Sequence, residues 1–483
     1  MPIGILEKHV DVLGLETLPI IKSCLDSIKK EKEYNGTVED LWKDLSETLY
    51  NINYDDDNIY KMLCQGHVSG IFQLNNQAQK VMEQQPRNFK DLIAINALIR
   101  PGVGNWQEYI ARRKGKSWDI HPDRFAYMEE TSGTMTYQEQ FLLDCQTFAG
   151  WDIAFADKHV RKNKDIRNDH ELHEKFIHDS LARGYDIVDI EKVWEEIVCA
   201  VEGGYSFNKS HSASYAVLSY QTAYLKYYYP EHFYASYMTH EQSQDVIASY
   251  ISECKQRGIK ILPPDINDSN ENFVVTKRGI NYRITAIKHV GESAIENIKD
   301  LRPIKSFDDF MERREKQYVK KNVLINLIKA GCFDFDNPNR DELLWKIDMS
   351  ERTKTQIKND YQCPKYEWND KIKSEWEKEV LGMYLSVHPM EKYGFKPITN
   401  YQEGTYAIQG GEIYDLRIFN DKKGNEMCFA FINTLFGNVK VLIFSSTWKY
   451  TPIREAMQIN NIVLIKGKRS GNDIILDGVE VLE

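Results

Sequence analysis

The stretch "TYAIQGGEIYDLRIFNDKKGNEMCFAFI" (residues 405–432) consists of two apolar runs separated by a Lys-Lys-Gly-Asn turn. Three more runs of β character follow before residue 483, and a segment with helical character, "WKYTPIREAMQ" (448–458), lies between the third and the fourth. Five strands with a helix between strands three and four are typical of an OB-fold barrel. The sequence therefore predicts a five-stranded OB barrel over residues 404–483.

Upstream of this barrel the chain is mainly of helical character. The clearest amphipathic runs, with apolar residues three and four apart, occupy residues 91–99, 137–150 and 189–204. Residues 3–13 have the character of a strand and residues 16–30 that of a helix. A Pro-rich break at 261–268 precedes a second short β-like run at 273–284. The expected fold class is therefore α+β, with several domains.

Composition excludes some classes of protein. The 483 residues carry a net charge of −10, which argues weakly against a sequence-independent DNA coat. The eight cysteines are scattered without a CxxC pair, which argues against a disulfide framework or a zinc site and fits a reducing compartment. No apolar run approaches the roughly 18 residues of a membrane span, and no secretory signal is evident. We expect a cytoplasmic protein without a membrane partner.

A cationic stretch, "ADKHVRKNKDIR" (156–167), could bind phosphate groups. On a helix, Lys158, Arg161 and Lys162 would share one face, and such a face could grip a triphosphate or a nucleic-acid backbone. The alternative is a solvated charged face, which this stretch taken alone favours. Lys164 and Arg167 extend the same charge.

A second polar cluster precedes a helix rich in tyrosine, "FNKSHSASYAVLSYQTAYLK" (207–226). Asn208, Lys209 and His211 lie where the helix begins, and polar groups at a helix N-terminus can bind an anion or a nucleobase. The alternative is a capped helix start followed by a core helix. At helical spacing, most of the tyrosines are expected in the core.

Three further segments carry features that suit a nucleic-acid backbone. In "HVGESAIENI" (289–298), Gly291 precedes a helix N-terminus that could hold a DNA phosphate. Lys320 and Lys321 begin another predicted helix. The barrel supplies a further set of cations and aromatic residues for single-stranded DNA: Lys422, Lys423, Phe429, Phe431 and Lys440. Because the two phenylalanines alternate to the same side of a strand, both could instead belong to the barrel core.

In this order, the segments resemble the C-terminal half of the alpha subunit of the bacterial replicative polymerase, DNA polymerase III (C-family). "VDVLGLETL" (10–18) looks like its final palm strand, and "ITAIKHVGESAIENI" (284–298) looks like its helix-hairpin-helix region. The segments that resemble its fingers are "GIFQLNNQ" (70–77), "LIRPG" (98–102), "YQEQ" (137–140), "FNKSHSASYAVLSYQTAYLK" (207–226) and "KQRGIKILPPDIN" (255–267). Nearly the whole chain is covered, with a gap at about 338–375.

The resemblance implies an organisation into five parts. They are a C-terminal fragment of the palm (1–30), the fingers (31–283), the helix-hairpin-helix region (284–336), a connector (337–403) and the OB-fold (404–483). It also implies primer-template DNA, a single-stranded template and deoxynucleoside triphosphates as partners. Many family members carry a short motif that binds a sliding clamp before the OB-fold. Residues 338–375 contain no convincing copy of this motif, so the resemblance leaves open whether a sliding clamp is a partner.

The resemblance assigns catalysis to Asp11. The family holds two Mg²⁺ ions with three palm aspartates, of which two lie in a Pro-Asp-x-Asp-x-Asp segment and the third lies just before Leu-Gly-Leu. Asp11 matches the third, and nothing in the sequence matches the first two. One carboxylate cannot hold two ions about 4 Å apart. We therefore expect a split polymerase, fitting a phage or another compact genome, in which an N-terminal chain brings the PHP, palm and thumb regions and shares both Mg²⁺ ions.

The resemblance also assigns the nucleotide site. Arg161 corresponds to one of two adjacent family arginines, and Val160 occupies the position of the other; with Lys162 and Lys164, Arg161 is expected to contact the incoming triphosphate. Asn208, Lys209 and His211 are expected to line the nascent base pair. Two alternatives remain: a non-catalytic DNA-binding accessory derived from a polymerase, and an RNA-binding module such as an anticodon-binding domain, suggested by the OB-fold alone.

Overall fold

A computed structural model describes residues 15–31, 54–75, 77–99, 106–203, 207–350 and 369–482 of the chain. The predicted strand at 3–13, which contains Asp11, lies outside the described residues. The helix predicted at 16–30 is α1, which spans Thr17–Glu31. The chain divides into two compact units, residues 1–230 and 231–483, which are described separately.

The first unit is helical. After α1, its helices are α2 (Asp57–Cys64), α3 (Ala78–Gln84), α4 (Phe89–Leu98), α5 (Trp106–Arg113), α6 (Phe125–Met128), α7 (Gln138–Ala149), α8 (Ile153–Ala156), α9 (His170–Ala182), α10 (Ile187–Glu202) and α11 (Lys209–Tyr228). The following helix, α12 (Pro230–His240), begins at the boundary between the units.

Helix α10 shows how the sequence pattern forms this core. Asp186 caps its N-terminus by accepting from the Val188 N–H, which satisfies one of the donors left free at a helix start. The buried residues recur at intervals of three and four: Ile190, Val193, Trp194, Ile197 and Val198. This stripe joins a hydrophobic cluster with residues of α7 and α9. The run predicted at 189–204 is thus an amphipathic helix packed by one face.

A buried ion pair fixes α7 to the segment before α6. Arg124 donates from Nε and Nη2 to the two carboxylate oxygens of Asp144, both at 2.9 Å, and Nη2 also lies 2.7 Å from Glu196. The Tyr127 hydroxyl donates to the same carboxylate at 2.7 Å. Burial raises the pKa of Asp144, and the arginine opposes that shift. Removing one partner would leave an uncompensated buried charge, typically at a cost of about 3–5 kcal/mol.

Polar side chains of α11 hold the segment that precedes α3. Lys226 is fully buried, and its ammonium group donates to the carbonyl and the hydroxyl of Ser69 at 2.8 and 2.9 Å. Ser219 donates to the carbonyl of Phe72, and Thr222 accepts from the N–H of the same residue. Tyr220 packs in the surrounding core, whereas Tyr215, Tyr224 and Tyr227 are half-buried and Tyr228 is exposed. The prediction that most tyrosines of this helix lie in the core is therefore wrong.

The second unit contains a small sheet, several helices and a barrel. Up to the barrel, its elements are α13 (Gln244–Gln256), β1 (Ile261–Leu262), β2 (Val274–Thr276), β3 (Gly279–Asn281), α14 (Glu292–Asp300), α15 (Phe307–Arg313), α16 (Lys321–Ala330), α17 (Arg340–Ser350) and α18 (Asp370–Leu381). The sheet has the order β1-β3-β2, with β1 parallel and β2 antiparallel to β3.

A buried network ties α17 and α18 to the turn after α16. Arg340 donates to both carboxylate oxygens of Asp334 and to Glu377. Glu377 is fully buried and also accepts from the N–H and the hydroxyl of Ser386. Because each charged group has a partner of opposite charge, the network avoids the penalty of an isolated buried charge.

The predicted OB barrel is confirmed. Its strands are β4 (Tyr406–Asn420), β5 (Glu426–Thr434), β6 (Gly437–Ile443), β7 (Ile462–Ser470) and β8 (Asp473–Val481), and they close in the order β4-β5-β6-β8-β7. Two short helices, α19 (Ser445–Trp448) and α20 (Thr451–Ala456), lie between the third and fourth strands. Strand β4 pairs with β7 through its first half and with β5 through its second half. At Gly411, where β4 pairs with both neighbours, an added side chain would meet the Asn433 carbonyl oxygen at 2.4 Å.

Candidate nucleotide and DNA interfaces

The cationic stretch at 156–167 does not form a continuous α-helix, on which the expected cationic face depends. Helix α8 ends at Ala156, residues Asp157–Arg161 form a π-helical turn, and residues Ile166–Asn168 form a 3-10 turn. The expected helical face therefore does not continue beyond Arg161. Arg167 forms ion pairs with Glu195 and Glu202 of α10, at 3.0 and 2.7 Å.

Asp157 neutralises part of this stretch. Its carboxylate accepts from the Arg161 guanidinium and lies 3.2 Å from the Lys162 ammonium. The hydrogen bond from Arg161, together with the one from Lys162, lowers the pKa of Asp157. Arg161 keeps a third of its side chain exposed, and Lys164 is exposed. A phosphate group that approached Arg161 would compete with this carboxylate.

The polar cluster at the start of α11 is confirmed as a capped helix start. Asn208 accepts from the His211 N–H at 2.9 Å and from the Ser210 hydroxyl at 2.6 Å. The N–H of Lys209 donates to both oxygens of Glu139, at 3.1 and 3.0 Å. The expected anion site at this helix N-terminus is thus filled by a carboxylate of the chain itself.

The side chains of Lys209 and His211 lie against aromatic residues. The Lys209 ammonium is 2.5 Å from the Glu130 carboxylate and 5.5 Å from the centre of the Tyr137 ring. The His211 ring packs on Tyr215, with 4.2 Å between ring centres. Lys209 therefore has a carboxylate partner in this structure, although part of its side chain remains exposed.

Two neighbouring cavities in the first unit were missed by the sequence analysis. Lys209, Glu130, Tyr137 and Lys90 line one of about 390 Å³. The other, of about 410 Å³, shares Lys90 and Glu130 with the first and contains three arginines: Arg87, Arg112 and Arg113. The run "ARRKGK" at 111–116 was the signal that could have identified the second cavity.

The helix-hairpin-helix candidates lie on two helix N-termini. Gly291 is the N-cap of α14, and a side chain added there would meet nothing within 4 Å. Lys320 is the N-cap of α16, Lys321 is its first residue, and both are exposed. Asn326 of α16 donates to the carbonyl of Lys288 at 2.6 Å, so α16 packs beside the loop that leads to Gly291. Gly291 and the first two residues of α14, Glu292 and Ser293, are exposed.

The aromatic pair of β5 faces outward. Phe429 and Phe431 are half-buried on the outer surface of the barrel, whereas Cys428, Ala430 and Ile432 fill its core. The core alternative for the two phenylalanines is therefore wrong. Because β5 is a strand of a closed barrel, its residues alternate between the core and the outer surface.

Cations lie over both rings. The Lys440 ammonium is 5.4 Å from the centre of the Phe429 ring, and it also pairs with Asp473 at 2.7 Å. Arg417, which is not among the residues predicted from the sequence, lies 4.8 Å from the centre of the Phe431 ring. Lys422 and Lys423 are exposed in the β4–β5 turn. We call Arg417, Phe429, Phe431 and Lys440 the β5 face.

The described residues give no independent support for a metal site. Within them, no group of three or more His, Cys, Asp or Glu side chains could hold a metal ion. The expectation of Mg²⁺ rests on Asp11, which lies outside these residues. Over the same part of the chain, no helix has both the length and the apolar character that a membrane crossing requires.

Comparison with known proteins agrees with the fold. Residues 17–184 match the family model of the bacterial DNA polymerase III alpha subunit finger domain, and residues 258–343 match that of a helix-hairpin-helix motif. The DNA polymerase III subunit alpha of Aquifex aeolicus (strain VF5) is 32% identical over 95% of this chain and 40% of its own length. That of Campylobacter jejuni is 31% identical over 94% of this chain and 40% of its own length.

A third relative, the DNA polymerase III subunit alpha of Staphylococcus aureus (strain COL), is 29% identical over 99% of this chain and 46% of its own length. The chain thus spans less than half the length of these curated relatives. Its finger and helix-hairpin-helix matches lie in the same order as its helical first unit and the helices before the barrel. Over nearly its whole length, the chain is similar in sequence to a stretch of bacterial DNA polymerase III alpha subunits, and residues 17–184 match their finger domain.

Proposed function

We propose that this chain is a component of a replicative DNA-directed DNA polymerase, to which it contributes the nucleotide-binding fingers, the helix-hairpin-helix region and the OB barrel. The observation that carries the proposal is the alignment of 95% of the chain with a DNA polymerase III alpha subunit at 32% identity. The substrates would be deoxynucleoside triphosphates and primer-template DNA, and the compartment would be the cytoplasm of a bacterium or of a phage-infected host.

The catalytic assignment rests on the sequence. Asp11 would be one ligand of a pair of Mg²⁺ ions, which stabilise the attacking and leaving oxygens in nucleotidyl transfer. Residues 1–483 contain no Pro-Asp-x-Asp-x-Asp segment. The other two aspartates would come from residues outside these 483, on an N-terminal polymerase chain with PHP, palm and thumb regions, and the ions would be shared between the two chains.

Within the fingers, Arg161 would contact the triphosphate, assisted by Lys162 and Lys164. The partial exposure of Arg161 supports this role. Asn208, Lys209 and His211 would border the nascent base pair, and the cavity beside Lys209 supports such a position. Asp157 already pairs with Arg161, and Glu130 already pairs with Lys209. A bound nucleotide would therefore have to displace these carboxylates from their cations.

DNA would be held farther along the chain. The exposed N-termini of α14 and α16, with Gly291, Lys320 and Lys321, suit backbone phosphates. The β5 face combines aromatic rings with cations, as surfaces for single-stranded DNA do, and the exposed Lys422 and Lys423 extend its positive charge.

The decisive experiment is complementation. The purified chain is assayed for primer extension with Mg²⁺, alone and mixed with a polypeptide that carries the PHP, palm and thumb regions of the same polymerase. We expect extension only in the mixture. Extension by the chain alone, free of host polymerase, would contradict the division of the aspartates between chains. A mixture that binds primer-template DNA without extending it would favour the non-catalytic accessory instead.

A further inference from the structure

A second patch of aromatic, aliphatic and cationic side chains lies on the opposite edge of β4 from the β5 face. Tyr406 and Ile408 are exposed on the first half of β4, at 48% and 40% of their surface. They pair directly with Lys468 and Lys466 of β7. Both ammonium groups lie over the Tyr406 ring, at 5.8 and 5.4 Å from its centre. We call these four residues the β7 patch.

The two lysines of the patch remain available for a ligand. In the part of the chain that the structure describes, neither Lys466 nor Lys468 has a carboxylate within ion-pair distance, whereas neighbouring Arg469 approaches Glu403 at 3.9 Å. Asp477 is an exposed acid of the neighbouring strand β8. The patch thus offers one aromatic ring, one aliphatic side chain and two exposed ammonium groups.

The β7 patch connects to the β5 face through outward residues in direct register. Lys468 pairs with Ile475 of β8, Ile475 pairs with Leu442 of β6, and Leu442 pairs with Phe429 of β5. Ile475, Leu442 and Phe429 are all half-buried and alternate with core residues of their strands. Three strand spacings of about 4.8 Å separate Lys468 from Phe429, or roughly 14 Å of barrel surface.

We propose that single-stranded DNA follows this row around the barrel, from the β5 face across β6 and β8 to the β7 patch, where a base stacks on Tyr406 and phosphates contact Lys466 and Lys468. Single strands combine with proteins through aromatic stacking and cationic backbone contacts, and both occur at each end of the row. The inference extends the proposed DNA-binding role of the barrel and rests on it.

The test uses the full chain and fluorescent oligothymidylates of two lengths: about 16 nucleotides, the upper end of what one OB fold covers, and about 2 nucleotides, which are too short to span the roughly 14 Å row. Tyr406→Ala should weaken binding of the longer strand roughly fivefold or more and leave the shorter strand, which the β5 face alone can hold, unchanged. Phe429→Ala should weaken both. The matched control is Tyr450→Ala, since Tyr450 is 57% exposed with Lys449 over its ring but lies off the row.

Salt dependence gives a second readout that does not depend on the tyrosine. Each lysine that contacts a phosphate of single-stranded DNA contributes about 0.7 to the slope of log affinity against log salt concentration. Lys468→Ala should reduce that slope, and Lys449→Ala should not. Denaturation midpoints of all variants show whether the fold is kept.

The outcomes distinguish failure of the path across β6 and β8 from failure of DNA binding by the barrel. If Phe429→Ala weakens binding while Tyr406→Ala and Lys468→Ala behave like the controls, the path across β6 and β8 is wrong and the β5 face stands. Equal losses for both lengths with Tyr406→Ala would also contradict a continuous path. If the unmodified chain shows no salt-sensitive binding of either strand, the proposed role of the barrel fails, and this inference fails with it.

Discussion

The N–H of Lys209 donates to both carboxylate oxygens of Glu139, 70 positions earlier in the chain. The start of α11 is thereby held beside the start of α7, and the positive end of the α11 dipole is already compensated. Any nucleotide that reaches Lys209 therefore meets the side chain of that residue and not its backbone donor.

Glu139→Ala should lower the stability of the first unit. The substitution leaves the Lys209 N–H without its carboxylate acceptor, and a hydrogen bond to a charged group typically contributes about 1.5–3 kcal/mol. We expect unfolding, monitored by circular dichroism, to have its midpoint at a lower denaturant concentration. The control is Glu292→Ala, which removes an exposed acid from the first turn of α14 and should have less effect. An unchanged midpoint for Glu139→Ala would show that this bond does not stabilise the fold.

Asp11→Asn should abolish primer extension by the assembled polymerase and leave DNA binding intact. An amide cannot replace a carboxylate as an anionic Mg²⁺ ligand, so the loss should appear in kcat. Asp26→Asn, an exposed acid on α1, serves as the control. Near-normal extension by Asp11→Asn would contradict the assignment of Asp11 as a metal ligand.

Arg161→Ala should raise the apparent KM for nucleotides roughly tenfold or more, since a charge-assisted contact with phosphate is typically worth about 1.5–3 kcal/mol. The measurement is steady-state extension at varied nucleotide concentration. Arg167→Ala is the matched control, because Arg167 is engaged in ion pairs with Glu195 and Glu202. If the Arg161 variant changes only the yield of folded protein, the stretch is a solvated charged surface.

Stability should fall as the pH drops from about 6.5 to about 4, in part through His388. Burial, with a contribution from Lys255, lowers the pKa of His388 to about 4. Its Nδ1 accepts from the Met390 N–H at 3.1 Å, which only an unprotonated Nδ1 can do. Below the unfolded pKa of about 6.5, the unfolded state binds the proton that the folded state excludes, so stability is full above that pH and declines below it.

The check on this prediction is the denaturant midpoint measured between pH 7 and pH 4. His388→Asn keeps an acceptor for the Met390 N–H and should flatten the decline. His178→Asn, at a largely exposed histidine, should follow the unmodified chain. A decline that is equally steep in both variants would assign the acid sensitivity to other groups.

The sequence was sufficient for the barrel because strand alternation, turn residues and strand number are local properties. The same alternation placed Phe429 and Phe431 on one side of β5, but only the closed barrel shows which side faces outward. The partners of some cationic side chains, in contrast, lie far away in the sequence. Lys209 meets Glu130, 79 positions away, and no periodicity predicts that encounter. Nor does periodicity predict the π-helical turn at Asp157–Arg161, which ends the helical face expected over residues 156–167.

The barrel closes through a narrow seam. Strands β6 and β8 meet in only two parallel pairs, Val441 with Ile474 and Leu442 with Ile475, whereas β5 and β6 share seven. Amide hydrogens at this seam should exchange with deuterium sooner than those of the long ladders, since fewer bonds must open together. A strand of DNA bound across Leu442 and Ile475 would contact both β-strands and oppose their separation. Slower amide exchange at the seam would therefore report DNA binding.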